Sequence, residues 1–245
     1  MEPAPSQHAD LMAAALADED GRTSRVSCCS DLAAAMTKLG QILWAGGWMI
    51  GSDRVSGDSP FRFGSDATVG PATVAQVGGE LLNGIGVLLP PGNRYAAMAL
   101  VRQLVEVEYL AWAFAQNHPE AATWLRSTRD ERVKIWQPRH LRDRSNGRFG
   151  KEDYQQHCDR GGHPTPDAVR LLPGHTRRIP IDACWLEAAV HGTSIWHYLT
   201  TATHDEGYQR ILTDLPEAAA AAESISRWRA ADPARRLGLA DHSPE

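Results

Sequence analysis

Residues 182–203, DACWLEAAVHGTSIWHYLTTAT, decide the fold class. Wound at about 100° per residue, Cys184, Glu187, His191, Ser194 and Tyr198 fall on one stripe about 80° wide. Trp185, Ala188, Ala189, Ile195, Trp196 and Leu199 fill the opposite side. No alternating apolar–polar pattern competes with this spacing, so the stretch is predicted to be a helix with a largely apolar surface. A second stretch, residues 94–116 (RYAAMALVRQLVEVEYLAWAFAQ), reads the same way. Its Tyr95, Arg102, Glu106 and Tyr109 project within a sector of about 60°, and most of the remaining residues are Ala, Leu and Val. Two apolar helices, each with a polar stripe, predict a core in which polar side chains must find partners.

Outward from these two, nearly every segment has a helical period. Ser30 is expected to cap a helix that runs to Trp48, and residues 51–70 read as a Gly/Ser/Asp loop. Pro71 is expected in the first turn of the next helix, which stops at Pro90-Pro91-Gly92. Asn93 is the expected cap of the long helix, and Asn117-His118-Pro119 its end. Short helices follow from Pro119, over 131–136 and over 152–158, with a polar Arg-rich loop at 138–150. Residues 163–180 are too proline-rich for regular helix. Pro216 opens an alanine-rich helix that ends near Asp232-Pro233. Residues 61–76 are the one weak strand candidate. The fold class expected is all-α, an irregular helical bundle with long Pro/Gly-rich loops. Its expected organisation is a mobile segment 1–25, a single helical domain 26–232 and a frayed tail 233–245.

A net charge of −5 excludes a polycation built as a whole for nucleic acid. Four cysteines, Cys28, Cys29, Cys158 and Cys184, lack any C-x-x-C spacing and read as reduced thiols. The most apolar stretch, 96–115, carries Arg102, Gln103, Glu106 and Glu108, so no membrane span is expected. The opening residues lack a basic start and an apolar run, and the location expected is cytoplasmic.

The candidate chemistry lies on the polar stripes and on His157-Cys158-Asp159-Arg160-Gly161-Gly162-His163-Pro164. Arg102 and Glu106, four apart, are expected to pair and to present an anion-binding fork. Glu187 and His191 share the same spacing, so the carboxylate is expected to orient the imidazole and raise its pKa. His163 and His191 are the expected titratable groups. Tyr109, His157, Arg160 and Tyr198 are the expected binding residues. The glycines beside His157 and His163 are expected to permit a tight turn. His157, Cys158, His163, Cys184 and His191 all offer metal-ligand atoms, yet their spacing matches no zinc motif, so no metal ligand and no cofactor are assigned.

The stretch Arg170-Leu-Leu-Pro-Gly-His175 has the Arg-x4-His spacing of the helical ribonucleases of the HEPN type, with Pro173-Gly174 inside it. The segment Arg126–Arg148 holds eight basic against three acidic residues, with Trp136 and His140 interleaved and Phe149 directly after, as an RNA-tracking surface would. Its other reading is a solvated loop whose arginines pair with acidic neighbours.

Residues 99–106 (ALVRQLVE) with Tyr109–Phe114, Tyr154–Cys158 with His163–Pro166, and Val190–Thr193 resemble uncharacterised helical proteins of bacteria. That resemblance implies an all-α fold and the choice of Arg102, Glu106, His163 and His191, with no substrate. The function expected is a binding or assembly module with a buried Arg/Glu/His network, its partner a protein or a second copy. The alternative is a HEPN-like ribonuclease or other phosphodiester hydrolase that uses Arg and His in a central cleft, with RNA the partner of the ribonuclease form.

Overall fold

The computed structural model describes residues 5–49, 65–202 and 206–236. The chain runs through α1 (Pro5–Ala17), α2 (Glu19–Met49), α3 (Asp66–Leu88), α4 (Arg94–Gln116), α5 (Pro119–Arg126), α6 (Arg129–Ile135), α7 (Pro138–Arg144) and α8 (Lys151–His157). A π-helical turn (Cys158–Gly162) and a 3-10 turn (Pro166–Leu171) lead to α9 (Ile181–Thr201), α10 (Glu206–Asp214), α11 (Pro216–Ala231) and α12 (Pro233–Arg236). Among the described residues there is no strand, so the fold is all-α. No helix among them is long and apolar enough to cross a membrane.

α2, α3, α4 and α9 pack on one another, and α11 covers α2. α2 and α3 touch most extensively, because glycines let their backbones meet. A Cβ at Gly79 would sit 2.4 Å from Thr37 Oγ1, and one at Gly40 would sit 2.8 Å from the Ala72 carbonyl oxygen. Leu32, Met36, Leu39, Leu82, Ile85, Val101, Leu104 and Ile195 are fully or almost fully buried at these contacts.

Several local expectations are corrected. Within the segment 1–25, expected to be mobile, residues 5–17 and 19–25 are helical; Met12, Ala15 and Leu16 are buried, and Arg25 is wholly enclosed. Arg25 gives Nε and Nη2 to the two oxygens of Asp232 at 2.6 and 2.8 Å, and Nη1 and Nη2 to the carbonyls of Leu16 and Ala15. Asp232 also accepts from Trp228 Nε1 and from the Ala234 amide. One ion pair therefore closes the end of α1, the start of α2 and the α11–α12 corner. That is why α2 begins at Glu19 rather than at Ser30, and why part of the expected tail forms α12. Residues 66–76 of the strand candidate are helical, and so the end of the loop expected at 51–70 belongs to α3; residues 51–64 lie outside the described residues. Pro71 stands inside α3 rather than in its first turn, because Ser65 caps the helix by accepting from the Thr68 amide. The interior proline costs about 3 kcal/mol, which the burial of Val69, Ala72, Val74 and Ala75 offsets. The Arg-rich loop contains α7.

Arg25→Met would strand the buried Asp232 carboxylate and should cost about 3–5 kcal/mol in urea unfolding. Arg22→Met, which removes a half-exposed partner of Asp182, should cost distinctly less. Equal losses would show that the Arg25 pair is not what closes the termini.

Candidate functional site

α4 and α9 pack directly, and each brings a buried polar side chain to their interface, that of α4 lying off its predicted stripe. From α4, Glu108 is buried; from α9, His191 is buried. Their side chains meet with Glu108 Oε2 2.6 Å from His191 Nδ1, a separation at which the imidazole donates to the carboxylate. This bond fixes the ring so that Nε2 points away from α4. There it faces Nε2 of His157, the last residue of α8, at 3.2 Å. Glu187 Oε2 lies 3.7 Å from both Nε2 atoms. Asp153 Oδ1 lies 3.6 Å from His157 Nε2. Each histidine thus carries a carboxylate four residues before it, and the two Nε2 atoms share the centre of the cluster.

What seats α8 here is the turn after it. A Cβ at Gly161 would stand 2.4 Å from the carbonyl of Met98, and one at Gly162 would stand 2.5 Å from Arg102 Cδ. Gly92, Gly147 and Gly174 are the glycines with positive φ among the described residues. Gly161 and Gly162 are therefore needed for close approach to α4, where a tight turn was expected of them. That approach sets His157 over His191.

The cluster has a closed floor and an open rim. Side-chain exposure is 2% for Glu108, 2% for His157 and 4% for His191, against 28% for Asp153, 33% for Glu187 and 30% for Arg160. Arg160 Nη1 stands 4.0 Å from Glu187 Oε1 on that rim. Burial alone would lower the pKa of His191; hydrogen bonding to Glu108 and Glu187 outweighs it and raises the value to about 10. Burial likewise pushes Glu187 up, and the two histidines hold it below the usual carboxylate value. His157 Nδ1 is buried with no partner among the described residues. Glu108 thus fixes the orientation of the His191 ring and turns its Nε2 toward His157.

The expected residues divide among several places. Arg102 and Glu106 pair at 2.8 Å, as their spacing suggested, but Tyr154 completes that cluster. Arg102 Nη2 donates to its hydroxyl, and the hydroxyl donates to Glu106 Oε1, both at 2.9 Å. This ring of bonds engages Nη2 of the fork and includes no histidine, while Arg102 Nε is buried without a hydrogen-bond partner among the described residues. Glu187, His191 and His157 come together, with Arg160 at the edge. His163 does not join them: it is exposed, beyond the π-helical turn, and its side chain makes no hydrogen bond among the described residues. Tyr109 is core, its ring centroid 4.0 Å from that of Phe149. Tyr198 is buried and accepts from Arg148 Nε. Cys184 donates to the Pro180 carbonyl oxygen, and burial pushes its thiol up to about 12. Arg170 and His175 do not share a helix; both bond to the backbone of Arg177 across a turn with Gly174 at φ +80°. In the basic segment, Arg126 pairs with Asp66 and Arg144 with Glu120, and Trp136 and Phe149 are buried rather than offered to bases.

Two members of the cluster were missed in the sequence. Glu108 had a legible signal: its helical neighbours Leu104, Val105, Ala111 and Trp112 are all apolar. Asp153 had another, since Asp153-x3-His157 repeats the spacing of Glu187-x3-His191. No family model, curated protein or solved structure matches this chain.

In chelator-treated protein His191 should remain protonated through neutral pH. Its contribution to stability should be complete below pH 6.5 and lost as pH rises through about 10. Glu108→Gln should move its titration downward in nitrogen–proton spectra of the imidazoles. A titration unmoved by that substitution would contradict the role given to Glu108.

Proposed function

We propose that the chain is a metal-binding module whose His157, His191 and Glu187 hold one divalent transition-metal ion. The observation that carries this is the spacing of three donor atoms: 3.2 Å between the Nε2 atoms and 3.7 Å from each to Glu187 Oε2. A tetrahedral ion with bonds of about 2.1 Å has donor atoms about 3.4 Å apart. The three atoms therefore need to move only a few tenths of an ångström to share an ion. Two imidazoles and one carboxylate suit zinc, cobalt(II) or iron(II) rather than calcium or magnesium, which prefer all-oxygen shells. Glu108 has the place of the outer carboxylate that orients a ligating histidine through its far nitrogen. The sequence assigned no metal ligand, because the set draws on residues 157, 187 and 191 with no compact motif.

The exposed rim supports a second reading in which the site is catalytic. Three protein ligands leave a coordination position, and the side facing Asp153, Glu187 and Arg160 is the side water reaches. A bound ion supplies Lewis acidity there, Asp153 is placed to take a proton from water, and Arg160 supplies positive charge for an anionic group. This is the form in which the hydrolase alternative survives. Arg102 and His163, assigned to it from the sequence, have no part in it.

Metal content and calorimetry decide between ion and no ion. Wild-type protein, stripped and reloaded with zinc or cobalt, should retain about one equivalent per chain. His157→Ala and His191→Ala should each abolish that binding with the helical circular dichroism preserved. Glu108→Gln should weaken it about 10- to 100-fold. Wild-type affinity no greater than that of the histidine variants would end the proposal.

A further inference from the structure

A second candidate binding place lies farther along the same helix pair. Trp112 is one turn past Glu108 on α4, about 6 Å along the axis, and Tyr198 is two turns past His191 on α9, about 10 Å along. Between α4 and the turn joining α7 to α8 is an open cavity of about 410 Å³, lined by Trp112, Gln116, Arg144, Ser145, Asn146 and Arg148. That volume falls in the range used by small-molecule sites. The wall is shaped by two successive left-handed residues, Asn146 at φ +53° and Gly147 at φ +87°. They turn the chain sharply, and the Arg148 amide closes the turn on the Ser145 carbonyl oxygen at 3.2 Å.

The lining is rich in unused donors. Arg148 is held by one bond, Nε to the Tyr198 hydroxyl, with its guanidinium carbon 5.2 Å from that ring's centroid. Its Nη1 and Nη2 have no acceptor among the described residues, and neither do the Trp112 indole and the amides of Gln116 and Asn146. Ser145 Oγ is already engaged, donating to the Arg142 carbonyl oxygen and accepting from the Phe149 amide. Arg144 is neutralised by Glu120, whose oxygens lie 2.6 and 2.7 Å away. No carboxylate lines the cavity. What remains is one positive charge with the Nη1–Nη2 edge of its fork free, amid neutral donors.

We infer that this cavity binds a small organic oxyanion, its phosphate or carboxylate group received by the free edge of Arg148. Arginine with two parallel N–H bonds left to give is the residue suited to either group. The inference stands on different residues from the metal centre and does not require it. Phosphate and carboxylate present the same acceptor chemistry, so the two sources are separated by the probe.

The test is calorimetric titration of the whole chain with inorganic phosphate, phenyl phosphate and benzoate, before and after chelator treatment. Saturable one-to-one binding of at least one probe is expected, unaffected by the chelator and by His157→Ala. Arg148→Gln should weaken it at least tenfold, and Arg148→Lys, which keeps the charge and loses the fork, should weaken it by less. A preference for phenyl phosphate would assign a phosphate ester, and a preference for benzoate a carboxylate; either supports the cavity. Absence of saturable binding by all three probes would overturn the inference. So would binding that Arg148→Gln leaves unchanged, or binding that disappears with the metal, which would place the anion on the ion instead.

Discussion

The hydrogen bond between Glu108 and His191 is the constraint from which the rest of the site follows. A carboxylate enclosed between two apolar helices loses its hydration, and an unpaired charge there costs several kcal/mol. His191 is the partner that offsets this loss, and the bond between them is 2.6 Å long. Once Nδ1 is committed to Glu108, Nε2 can point only toward α8. The orientation of the reactive nitrogen is thus a consequence of satisfying a buried acid on the neighbouring helix. This is the arrangement that metal-ligating histidines use, an inner nitrogen for the ion and an outer one for a carboxylate.

The remaining architecture holds that nitrogen opposite its counterpart. Gly161 lets the π-helical turn lie against the α4 backbone, and α8 is carried in behind it. At the other end of α9, Asp182 is tied to α2 by Arg22 at 2.6 Å, while Arg25 of α2 is tied to Asp232. α9, which carries His191 into the floor, is therefore fixed by a polar contact as well as by packing, and α2, on which it packs, is fixed in turn. A site of this kind needs such support, because a displacement of about 1 Å would separate donors that must share one ion.

The helical character of the chain was legible from period alone, and so were Arg102–Glu106 and Glu187–His191, since a four-residue spacing dictates proximity on a helix. Three kinds of information were not. The N-terminal helix reads as mobile because its anchor, Asp232, lies 207 residues from Arg25 in the chain. The meeting of His157 with His191 depends on how closely two backbones approach, which the letter Gly permits but does not specify. His163 was chosen beside His157 because the two are neighbours in sequence, yet the extended backbone that follows the π-helical turn carries it out to solvent. The division of the polar residues into an Arg102–Glu106–Tyr154 ring and a histidine centre is likewise tertiary, since Tyr154 and His157 stand three apart on one short helix yet meet partners on different helices, α4 and α9.

Anomalous scattering from crystals of the cobalt-loaded protein, collected on both sides of the cobalt absorption edge, addresses the central claim most directly. The account predicts a single strong peak bonded to Nε2 of His157, Nε2 of His191 and Oε2 of Glu187, with Glu108 outside the coordination shell and still bonded to Nδ1. A peak held by other residues, or rings found in direct N–H to N contact with no peak between them, would contradict it.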